Sequence, residues 1–188
     1  MTQSQLLQFA VAALERLGIP YALVGSLASS TLGEARFTND IDIVVRLDAS
    51  DANSLCDAFS SEEFSFHRPA VLQEVEQGRQ FNIIHPASAN KIDFMVVGDE
   101  GWPKNQLERR QLRDVLEAGP CYVAAPEDII LGKLWYYQIG GSEKHLRDIT
   151  GIFLRSGESI DREYLDSMSQ EIGVSEELRS VLDKLGIS

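Results

Sequence analysis

A chain of 188 residues with 44% hydrophobic and 24% charged side chains has the composition of an ordinary globular protein, which excludes a disordered tail or a fibrous repeat. The length suits one compact core, or one core with a small helical lobe, and excludes two large domains. Seventeen Lys and Arg against 29 Asp and Glu leave a formal charge of -12, spread over both halves, so general DNA or RNA binding through phosphate neutralisation is excluded unless a local patch such as Arg109, Arg110 and Arg113 supplies it.

In chain order, residues 4–17 set Leu6, Leu7, Phe9, Ala10, Ala13, Leu14 and Leu17 at helical spacing, and Gly18 with Pro20 ends that helix. Glu15 and Arg16 interrupt the apolar character of this N-terminal stretch. With no run near the ~18 apolar residues of a bilayer span, neither a signal peptide nor a membrane segment is expected, and the chain is expected in the cytoplasm. Residues 21–25 read as a short strand, 26–32 as a helix and 41–47 as a strand with Ile41, Ile43 and Val45 on one face. A helix over 48–61 and strands over 79–85 and 90–97 follow. The last of these turns Ile92, Phe94 and Val96 one way and Lys91, Asp93 and Met95 the other.

Glycine and proline at Gly98, Gly101 and Pro103 then lead into a polar helical stretch and a brief apolar piece over 121–124. From Pro126 onward the pattern is helical: Ile129, Ile130, Leu134 and Tyr137 form one stripe, Gly140 and Gly141 break it, and helices over 142–154, 161–172 and 175–185 complete the chain. The organisation predicted is a core over 1–124 and a helical subdomain over 125–188. Cys56 and Cys121 lack any ligand spacing and read as packed, reduced thiols.

Chemistry concentrates in two places. Gly25 and Ser26 end a strand at a helix start, where a missing Cβ and unsatisfied N–H groups suit a phosphate. Asp40 and Asp42, two apart on a strand, present their carboxylates to the same side while Ile41 and Ile43 enter the core. Like charges so close repel unless one takes a proton or a divalent cation lies between them, and all-oxygen ligation is the preference of Mg2+. Asp93 completes a cluster of three acids if its strand neighbours that of Asp42.

Gly-Ser at a strand end, Asp-Ile-Asp in an apolar strand and an isolated Asp on a later strand together resemble the nucleotidyltransferase superfamily of DNA polymerase beta type, over residues 18–98. Arg36, Thr38, Asp40 and Asp42, with Lys133-Leu134 and Arg147-Asp148-Ile149 in the tail, look similar to the AbiEii-type bacterial group, several of which are toxins or phage-defence components.

The resemblance implies an α+β fold: a small mixed sheet with flanking helices, then a C-terminal helical bundle. It also implies Mg2+-dependent transfer of a nucleoside monophosphate from an NTP to an acceptor hydroxyl, an RNA end or a protein, and a possible cognate antitoxin as partner. Asp40, Asp42 and Asp93 match the metal-binding carboxylates, Gly25 and Ser26 the triphosphate turn, Lys133 a phosphate-binding lysine and Asp148 an acid on the same cleft, with Arg36 a secondary phosphate contact.

Read without the resemblance, Lys133 beside an apolar stripe either snorkels to solvent or meets a phosphate, and Asp148 reads as a helix-surface partner of Lys144. Trp135, Tyr136 and Tyr137 could form a base-stacking platform but, next to Leu134 and Ile139, read as core, and His67, His85 and His145 read as structural or exposed. Two alternatives stand beside the main function: modification of an aminoglycoside-type antibiotic, which the acidic charge favours, and a non-catalytic nucleotide- or partner-binding module.

Overall fold

The computed structural model describes residues 1–34, 38–60, 62–115 and 117–187. Helix α1 (Gln3–Arg16) opens with a capping box in which the Thr2 hydroxyl accepts from the Gln5 N–H while the Gln5 side chain accepts from the Thr2 N–H. Strand β1 (Tyr21–Val24), buried throughout, runs straight into α2 (Gly25–Leu32). Next come β2 (Asp40–Val45), α3 (Ala49–Ala58), α4 (Arg68–Glu76), β3 (Gln80–His85) and β4 (Asn90–Val96). The remaining elements are α5 (Gly101–Glu108), β5 (Gln111–Val115), β6 (Gly119–Val123) and four helices: α6 (Pro126–Gly140), α7 (Glu143–Ser156), α8 (Arg162–Glu171) and α9 (Ser175–Leu185).

The six strands form one mixed sheet in the order β3-β4-β2-β1-β6-β5. Pairing is parallel between β2 and β4 and between β1 and β6, and antiparallel elsewhere. The register sorts the side chains. Ile41 lies opposite Ile92 and Ile43 opposite Phe94, all fully buried. On that face Phe81 stacks on Phe94 at 5.1 Å, and Phe59 meets Phe94 and Phe9 edge-on, so α1 and α3 close the core there. The other face of the same strands carries the polar residues. An α+β fold with a mixed sheet and a helical C-terminal part is therefore what the chain adopts.

Two segments depart from the periodicity. The polar stretch after Gly101 stays helical only to Glu108, and the chain then makes the β5–β6 hairpin, turning at Glu117 with φ of 57°. Tertiary pairing decides this: Leu23 on β1 pairs with Val123 on β6 and its carbonyl accepts from the Ala124 N–H, extending the sheet past β1. Helix α4 is short and buries only Val71 and Val75, too few apolar positions to register as a repeat.

Candidate active site

Asp42 is the centre of the polar face. Its Cα partner is Val24 on one side, the last residue of β1, and Asp93 on the other. Asp40 pairs with Lys91 one step earlier, so the parallel β2–β4 register brings Asp40, Asp42, Lys91 and Asp93 to one surface. The condition for Asp93 to join the other two acids, that its strand neighbours that of Asp42, is thus met.

Gly25 and Ser26 close the site from above. Gly25 has φ of 67°, and a Cβ there would meet Asp42 Oδ2 at 1.9 Å, so only glycine lets the helix start approach this carboxylate. The Ser26 N–H donates to the Asp42 carboxylate. One N–H at the start of α2 thus serves the acid itself. Burial pushes the Asp42 pKa up; Asp93 and Asp40 push the same way, while the Ser26 N–H and Lys133 act against them.

Lys91 is the site residue that motif reading passes over. Its Nζ lies 2.7 Å from Asp93 Oδ2 and 3.6 Å from Asp40 Oδ1. The hydrogen bond to Asp93 raises the lysine's pKa. Its signal in the sequence is only its alternation with Asp93 on β4.

A cleft of about 760 Å³ is lined by residues of β1, β2, β4, α5 and α6. Gly25, Ser26, Asp40, Asp42 and Lys133 line it; Asp93, with its side chain 7% exposed, lies behind them against Lys91. Trp102, Trp135, Tyr136, Lys144 and His145 line the cleft as well. Trp135 and Tyr136 are 40% and 46% exposed, which corrects their reading as core: the stripe of α6 that faces the protein holds Ile129, Ile130 and Leu134 instead. Burial, then Asp42 and Asp93, raise the Tyr136 pKa, so this phenol shares the field of the acids.

Lys133 and Asp148 meet at 2.5 Å inside the protein, across α6 and α7. Asp148 is therefore no helix-surface partner of Lys144: the crossing of two helices, invisible to i,i+4 spacing, turns it inward. It is not among the residues lining the cleft, whereas Lys133 is. Arg36 lies outside the described residues. Arg109, offered as part of a basic patch, is taken up by Glu127 at 2.9 Å and Asp128 at 3.4 Å, with its guanidinium over the Tyr164 ring.

The residues fit a hard divalent cation in chemistry: every candidate donor is a carboxylate oxygen, and Asp93 Oδ1 is buried with no hydrogen-bond partner among the described residues. Among those residues, no three acidic, His or Cys side chains stand in ready-made ligating geometry. Lys91 instead supplies the positive charge between Asp93 and Asp40.

No family model matches the chain, and no curated protein matches it in sequence. Solved structures do. The crystal structure of ANT(2'')-Ia in complex with adenylyl-2''-tobramycin superposes with a TM-score of 0.61 at 16% identity, covering 92% of this chain and 97% of that one. The fold is that of the nucleotidyltransferases. A solution structure of the antibiotic-resistance factor ANT(2'')-Ia gives 0.55 at 16% identity, over 98% and 95% of the two chains. An antigenic nucleotidyltransferase-like protein from Paracoccidioides brasiliensis gives 0.50 at 19%, over 96% and 92%. These likenesses show the fold and not an AbiEii-type subgroup. Within the described residues, no helix of this nucleotidyltransferase fold is long and apolar enough to cross a membrane.

Proposed function

We propose that the chain is a nucleotidyltransferase that moves a nucleoside monophosphate from an NTP to a hydroxyl of a small, positively charged acceptor of the aminoglycoside kind, with release of pyrophosphate. The observation that carries the reaction is the cross-strand pairing of Asp42 with Asp93, with Asp40 beside them, against the helix start at Gly25 and Ser26. Asp40, Asp42 and Asp93 would hold Mg2+, which when bound neutralises triphosphate charge and polarises the phosphoryl group.

The residues then have separate tasks. The start of α2 and Lys133 line the cleft where the triphosphate would sit, a donor-rich surface suited to phosphate oxygens. Asp93 assists removal of the proton from the acceptor oxygen as that oxygen bonds to the α-phosphorus and the bond to the β-phosphate oxygen breaks. Alignment and charge compensation supply the rate, with no covalent enzyme intermediate.

Charge favours the small cationic acceptor over an RNA end. The chain carries -12, and Arg109 is spent on Glu127 and Asp128 rather than offered to a phosphate backbone. The likeness of the fold to an antibiotic-modifying protein points the same way. RNA ends and polypeptides, with an antitoxin as partner, form the rival reading that the AbiEii-type resemblance implies.

The test is incubation with each α-labelled NTP and Mg2+ in the presence of an aminoglycoside panel, total RNA or the protein alone. Label on an aminoglycoside is expected, and none with Asp42→Asn. Label on RNA or on the polypeptide would replace the acceptor, and no transfer to any of them would overturn the enzymatic reading in favour of a binding module.

A further inference from the structure

Lys91 stands against two of the three clustered acids, at the border of the cleft and not among the residues that line it. It stands opposite Asp40 in the β2–β4 register and two residues before Asp93 on the same strand face, so the backbone itself aims it between two carboxylates. Its ammonium is 2.7 Å from Asp93 Oδ2 and 3.6 Å from Asp40 Oδ1. The side chain of Asp93 is only 7% exposed, and its other oxygen, Oδ1, is buried with no hydrogen-bond partner among the described residues. Lys91 therefore compensates part of a buried negative charge and leaves an oxygen unsatisfied.

We propose that Lys91 is a built-in counter-cation that keeps a free divalent ion off Asp40 and Asp93, so that the metal enters as its complex with a nucleoside triphosphate. This rests on the reading of Asp40, Asp42 and Asp93 as metal-holding carboxylates. A lone divalent ion arriving between the acids meets the ammonium's repulsion and must evict it with nothing offered in return. A triphosphate arriving with the metal offers the ammonium another anion. Lys91 is well suited to that exchange: its side chain is 37% exposed, and a lysine is a compact charge on a flexible four-carbon stem. Lys91 thus acts as a positioning residue that couples metal entry to nucleotide entry.

The measurement is Mn2+ binding, read from the electron paramagnetic resonance of free Mn2+, with and without the α,β-methylene analogues of ATP and GTP. The wild-type chain is expected to bind Mn2+ weakly alone and at least about tenfold more tightly with an analogue, a gain of about 1.4 kcal/mol. Lys91→Gln removes the charge but keeps an N–H donor for Asp93, and is expected to bind Mn2+ alone about tenfold more tightly than wild type. Lys91→Arg, which keeps the charge, should bind Mn2+ like wild type. Mn2+ alone should also raise the Tm of Lys91→Gln and leave that of wild type nearly unchanged.

Equal Mn2+ affinity of wild type and Lys91→Gln without nucleotide would overturn the proposal while leaving the metal site standing. Failure of both chains to bind Mn2+ even with the analogues would overturn the metal reading and the proposal together.

Discussion

Gly25 lies so close against Asp42 that a Cβ on the glycine would meet the carboxylate Oδ2 at 1.9 Å. With φ at 67°, an alanine there also carries left-handed backbone strain of about 1–2 kcal/mol. Gly25→Ala is therefore expected to lower Tm by several degrees and to displace Asp42 from the Ser26 N–H. Nucleotide transfer should fall by about a hundredfold or more, as small misplacements of reacting groups do. Steady-state kinetics and a melting curve check both parts.

Asp42→Asn separates the needs of the fold from those of the chemistry. Burial, then Asp93 and Asp40, raise the pKa of Asp42 on folding. A carboxyl whose folded pKa is raised holds its proton more tightly when folded, so stability falls as pH climbs from the ordinary carboxylate range through the raised value. The asparagine variant, measured by thermal melting in EDTA, should match or exceed the wild-type Tm at neutral pH and lose that part of the pH dependence. Transfer activity should vanish.

The buried Lys133–Asp148 pair tests how much of the site is scaffold. Removing one partner strands a charge inside the protein and is expected to cost about 3–5 kcal/mol, as in Lys133→Met or Asp148→Asn. The double variant Lys133→Met/Asp148→Leu removes both charges and should recover most of that loss in urea unfolding. Activity should stay low in the double variant, because Lys133 also lines the cleft and lowers the Asp42 pKa.

Asp128 sets a second pH window. Its Oδ1 accepts from Trp102 Nε1 at 3.0 Å and from the Tyr164 hydroxyl at 2.7 Å, yet burial pushes its pKa up to about 6. By the same sign rule, stability should decline as pH rises from roughly 4 to 6 and level off above. Asp128→Asn keeps an acceptor for both donors and should remove this decline. A melting profile over that range that is unchanged in the variant would assign the titration to another group.

Much of the site was legible because strand alternation is local. Asp40 and Asp42 had to share a face while Ile41 and Ile43 entered the core, and the same argument held for Asp93 against Ile92 and Phe94. The glycine and serine between a strand and a helix read as a turn for a phosphate, whereas the structure sets that backbone against the Asp42 carboxylate. Lys91 was hidden for the complementary reason: its importance comes from Asp40 on another strand, and no spacing along β4 reveals a parallel register.

The amino-acid order by itself determined the alternating strands, most of the helices and which carboxylates share a strand face, because those follow from dihedral periodicity within a few residues. Only the tertiary structure decided that Asp93 stands beside Asp42, that Lys91 bridges the acids, that Asp148 turns inward to Lys133, and that β5 and β6 join the sheet. Each of those depends on contacts between segments distant along the chain, whose pairing is selected by burial of the whole core and not by any local preference.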